Sequence, residues 1–197
     1  MSVLTRAPSH SPELAHRGIA AAPLAAELTK MGLITQAVVV QAAIDVNGMS
    51  HAQKVRLADE VFDQQPNMLA SVLALPRMGV SMPQVEVPLH ILLVTFQAMK
   101  RSGRNWPTIS EATQETCLQR LTARARFNEG LPPQLAAKVV KQFCDEHPER
   151  YLLAFVYGYL GDHDLLRVRT DAEKFLLLAA LNLVECVAFV ASQTTSG

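Results

Sequence analysis

The stretch 175–191 reads FLLLAALNLVECVAFVA, and within it only Asn182 and Glu185 are strongly polar. At about 100° per residue, Asp171, Lys174, Leu178, Asn182 and Glu185 fall on one narrow stripe, and the rest of the circumference is apolar. A helix of that kind is stable only when protein surrounds it, so the rest of the chain must supply the walls. The run is shorter than the ~20 apolar residues of a membrane span and carries a carboxylate near its middle, which argues against a membrane. Thr170 followed by Glu173 reads as a capping box at its start, and the polar residues 192–197 end it. The stripe reads first as a solvated sliver. Its alternative is a buried polar site in which Asn182 and Glu185 pair with Arg167, Arg169 or Lys174.

A chain of 197 residues makes one domain or two small ones, with ample material for a core. Hydrophobic residues make up 49% and charged residues 18%, with little sustained strand-like alternation. Together these predict an all-α protein, a compact array of about seven or eight helices. The formal net charge of zero argues against whole-molecule attraction to nucleic acid or anionic membrane, though it leaves room for a local patch. Cys117, Cys144 and Cys186 are odd in number and far apart, so no disulfide framework is implied and a reducing cytoplasm fits best. The N-terminus lacks the pattern of a secretory signal.

Residues 1–22, with Pro8, Pro12 and Gly18, read as a flexible arm, and 23–197 as a single helical domain. A helical pattern over 23–46 breaks near Gly32, with Thr35 as cap of its second piece. The phrase KMGLITQAVVVQAA there resembles the helix–turn–helix phrase in N-terminal domains of secretion ATPases, some of which bind cyclic dinucleotides. The Arg-Leu-Gly opening and second motif copy of that family are missing, so no assignment follows. Ser50 caps a helix to Gln65, and Pro66 opens a short one to Leu75. A Pro- and Met-rich loop then leads to an apolar helix over 88–101, whose stripe is Glu86, His90, Gln97 and Arg101. Thr108 and Glu111 predict the box that starts a polar helix to Asn128. Gly130, Pro132 and Pro133 mark a boundary; helices over 132–147 and 148–160, a charged loop 161–170 and the final helix follow.

Shifted by 82 positions, Asp63-Gln64-Gln65-Pro66 falls on Asp145-Glu146-His147-Pro148. An amphipathic helix precedes each junction; a short apolar helix, a loop and a narrow-striped apolar helix follow each. One reading is two related three-helix units, 50–101 and 132–191, joined by helix 108–128. The other is independent helix–Pro–helix junctions, since Pro favours a helix's first turn.

No catalytic or cofactor motif stands out, and no cofactor is expected. Cys144-x-x-His147 is half a zinc site without its second half, and a buried Cys beside a capping residue accounts for it. Asp162-His163-Asp164 lacks the continuation of a calcium loop and reads as a solvated turn. Three function classes remain. The first is a non-catalytic helical adaptor or regulatory protein that binds a protein partner, or itself, through an apolar groove. Met78, Met82 and Tyr157 would serve that groove, and Arg101, Arg104, Trp106, Arg120 and Arg124 an acidic partner. The second is nucleic-acid binding by the basic, Trp-containing segment 100–126, where the bland reading is helix-end charge compensation and a Trp that plugs the core. The third is a small-ligand receptor or enzyme in which His90, Gln97, Asn182 and Glu185 converge between helices 88–101 and 171–191.

Overall fold

A computed structural model describes residues 34–128 and 130–194. The expected arm, and the helical piece before Gly32, lie outside those residues. Among the described residues the fold is all-α, with eight α-helices and no strand. In chain order they are α1 (Gln36–Gly48), α2 (His51–Gln64), α3 (Pro66–Leu73), a 3-10 turn (Leu75–Met78), α4 (Met82–Arg101), α5 (Glu111–Asn128), α6 (Pro133–Glu146), α7 (Arg150–Asp162) and α8 (Asp171–Thr194).

Local chemistry sets most boundaries. Thr35 Oγ1 accepts the Val38 N–H at 3.4 Å to start α1. Ser50 and Gln53 form a reciprocal box at α2, with Ser50 N–H donating to Gln53 Oε1 at 2.8 Å. Pro66 opens α3, where its missing N–H costs nothing. Gly79 closes the 3-10 turn at φ 86°, a left-handed conformation that a side chain would strain.

Some helix starts differ from the sequence reading. α4 begins at Met82, six positions before residue 88, because Gln84 Oε1 takes the Ser81 N–H at 3.1 Å and Pro83 sits harmlessly in the first turn. Pro88 then lies inside the helix and forfeits one backbone bond, yet Val85, Val87 and Pro88 are all buried. Packing outweighs the local preference there. α5 starts at Ser110, whose Oγ accepts the Thr113 N–H at 3.1 Å. Thr108 instead donates to the Gln64 carbonyl at 3.3 Å, part of a clasp that holds loop 104–110 against the α2–α3 junction. At its centre buried Gln65 donates to the Pro107 carbonyl at 3.0 Å and accepts the Ile109 N–H at 2.8 Å. His147, which the 82-residue shift sets on Gln65, is likewise buried. The junctions differ in detail: Pro66 is the first residue of α3, whereas α7 starts only at Arg150.

The core is the meeting of α4 and α8. α8 packs against both α5 and α4, and α4 in turn carries α1 and α3 on its other sides. Ile91, Leu92, Phe96 and Met99 on α4, and Leu176, Val184 and Val187 on α8, are essentially inaccessible to water. Each such side chain contributes on the order of 1.5–3 kcal/mol of transfer free energy. By length and composition α8 could cross a bilayer, but 56% of its apolar window is already buried in protein.

Candidate functional site

α5 presents Cys117, Arg120 and Arg124 at helical spacing toward the face of α8 that bears Glu185 and Phe189. The end of α6 supplies Phe143 and His147, and the three helices wall a cavity of about 370 Å³. Arg124 Nη1 bonds Glu185 Oε1 at 2.8 Å, and its guanidinium lies 3.9 Å from the centre of the Phe143 ring. Arg120 stacks in the same manner over Phe189, at 5.1 Å. His147 is 6% exposed. Its Nδ1 accepts the Glu149 N–H at 3.0 Å, so the neutral ring carries its proton on Nε2. That nitrogen stands 3.8 Å from Glu185 Oε1, too far for a hydrogen bond, and has no other partner among the described residues. Burial pushes the His147 pKa down and keeps the ring neutral, with Arg124 adding to the shift and the Glu185 carboxylate opposing it.

This arrangement corrects the solvated-stripe reading of α8. Asp171 and Lys174 are exposed, but Asn182 and Glu185 are covered where α5 crosses. Glu185 pairs with Arg124 of α5, not with Arg167, Arg169 or Lys174. Periodicity located the stripe on α8 but could not show which helix would lie over its second half.

The four residues expected to converge do not share a site. Asn182 Nδ2 donates to the Gln114 carbonyl at 3.2 Å. Gln97 Nε2 donates to Asp45 Oδ2 at 3.2 Å, tying α4 to α1. His90 stacks on Tyr159 at 4.5 Å and lines a different cavity of about 430 Å³, together with His51, Lys54 and Glu86. Each stripe residue is taken by whichever helix lies over its own turn. Only Glu185 belongs to the α5–α6–α8 cavity.

The expected partner-binding residues also disperse. Arg101 pairs with Asp45, whose carboxyl is held below its usual range first by the hydrogen bond from Gln41, with burial opposing and Gln97 and Arg101 adding to the lowering. Trp106 donates its indole N–H to the Met99 carbonyl and Ser102 Oγ, both at 3.0 Å, and so closes the end of α4; Arg104 lies 5.9 Å over its ring. Met78 and Met82 are 49% and 69% exposed. Tyr157 is half-buried, and burial raises its hydroxyl pKa to about 12. Arg120 and Arg124 alone of this set face one cavity with Glu185.

One surface escaped the sequence reading. α1 buries Val39, Ala42 and Val46, yet Val40 and Ile44 on its outer side are 50% and 58% exposed. Beside them Tyr151, Ala154 and Phe155 of α7 complete an almost wholly apolar groove of about 380 Å³. The signal was the unbroken Val38-Val39-Val40, which no single buried face can absorb. No protein-family model, curated protein or solved structure matches this chain.

Proposed function

We propose that the protein is a non-catalytic helical adaptor that docks one amphipathic helix of a protein partner in the groove between α1 and α7. The observation that carries this is Val40 and Ile44, exposed at i, i+4 beside Phe155 on a helix that has apolar residues on its outer side as well as its buried one. Surface apolar residues are ordinary singly, but an apolar row beside a groove favours a partner. The partner's shape follows from the backbone. No strand edge occurs among the described residues, so strand addition has no template, whereas α1's 13 residues offer about 20 Å of ridge for a packed helix. A nucleic-acid surface is less favoured, because Lys100, Arg101 and Arg124 are engaged by Glu60, Asp45 and Glu185.

A photo-crosslinking residue at position 40 of the full chain, in its native cell, tests the reading. The expected result is one discrete adduct whose crosslinked peptide maps to an amphipathic helix of another protein and which disappears in Ile44→Asp. An adduct to a second copy, an adduct to the chain's own residues 1–33, or no adduct would each overturn it.

A further inference from the structure

We infer that the cavity between α5, α6 and α8 binds a small monocarboxylate with an apolar body, its carboxylate gripped by Arg120 and Arg124. The cavity's volume, about 370 Å³, is within the ordinary range for small-ligand pockets. It holds two guanidiniums that lie over aromatic rings, Arg120 over Phe189 and Arg124 over Phe143. Planar forks of this kind match a carboxylate's two oxygens. Arg124 gives Glu185 a single nitrogen, Nη1, and Arg120 makes no ion pair among the described residues. Both therefore retain donors for an incoming anion.

The nine-tenths-buried His147 also lines the cavity. Its Nε2–H, fixed in direction by the Glu149 N–H on the opposite nitrogen, is buried with no acceptor among the described residues. An orphaned buried donor costs roughly 1–3 kcal/mol.

Charge selects the class. Arg120 and Arg124 are balanced by Glu185 and Glu146 around the cavity. A monoanion disturbs that balance by one charge, whereas a phosphate dianion would meet both carboxylates at full repulsion. The apolar body of the ligand has Cys117, Ala188 and the Phe189 ring to lie on.

The experiment is fluorine NMR titration of the full chain with 4-fluorophenylacetate and with its neutral isostere 4-fluorophenylacetamide. The acid should bind saturably, and the amide at least about tenfold more weakly. Arg120→Gln, an exposed position, should weaken the acid by about tenfold or more at unchanged Tm, and Arg120→Lys by less. Ile44→Asp should leave the acid's affinity alone, which keeps this site distinct from the helix groove. Equal affinity for acid and amide overturns the inference, as does no saturation by the acid. An Arg120→Gln protein that melts normally and binds the acid as before does the same. Should Arg120→Gln fail to fold, Arg120→Lys carries the comparison.

Discussion

Glu149 is fully buried, and its Oε2 accepts the Ile34 N–H at 3.1 Å across a separation of 115 residues. The position just before α7 thus sets where the chain enters α1. Glu149→Ala removes the acceptor from a buried backbone N–H and should cost about 1–3 kcal/mol in urea unfolding, with faster amide exchange at Ile34; Glu149→Gln keeps an acceptor and should cost less. His90 has its pKa lowered to about 4, by burial first and then by Lys54 and His163. The folded state therefore prefers the neutral ring. That contribution is fully present above about pH 6.5 and is lost as pH falls through 4. Because the ring is part-exposed, solvent screening reduces it to on the order of 1–2 kcal/mol. His90→Phe keeps a ring against Tyr159 without the titration, and its stability should fall less steeply between pH 6.5 and 4 than the parent's. Among the thiols, Cys117 and Cys186 are buried and Cys144 is partly exposed. An aromatic disulfide reagent should modify Cys144 in the native protein and the other two only on unfolding.

At the scale of elements, much was legible because caps and periodicity are local. Thr35, Ser50, Pro66 and Thr170 all stand at the helix starts the sequence assigned them. The box at α8 is skewed by one residue, since Glu173 Oε2 accepts the Arg169 N–H at 2.7 Å rather than that of Thr170. What local pattern hid was tertiary. Pro88 reads as a start until buried neighbours on either side carry the helix past it, and Thr108 reads as a cap until Gln65 claims its loop. The same limit governed Asn182 and Glu185: a stripe tells which side of a helix is polar, not what lies over it. Asn182 bears the mark of that covering, since its Oδ1 is buried without a partner. Asn182→Leu removes the unmet acceptor in exchange for one hydrogen bond to Gln114, and should change stability by no more than about 1 kcal/mol in either direction. A loss well beyond that in denaturant titration would mean that this hydrogen bond holds α5 in place.

At the scale of the whole molecule, α4 and α8 form one core, and the remaining helices are stabilised through it. Trp106 reports from the end of α4, while circular dichroism reports on every helix, so the two should give the same urea midpoint; separate midpoints would mean independently folding units. The fold class followed from composition because a chain this rich in Leu, Ala and Val has few other ways to hide its apolar surface. The cavity did not, because Arg120, Phe143, His147 and Glu185 come from three helices and meet only after those helices pack.

Glu149 joins two parts of the molecule through its own backbone and side chain. Its N–H tethers the ring of His147, and its carboxylate anchors the first turn's approach to α1. A substitution that shifts Glu149 should therefore be felt in two places at once, the seating of the imidazole and the entry of the chain into the first helix.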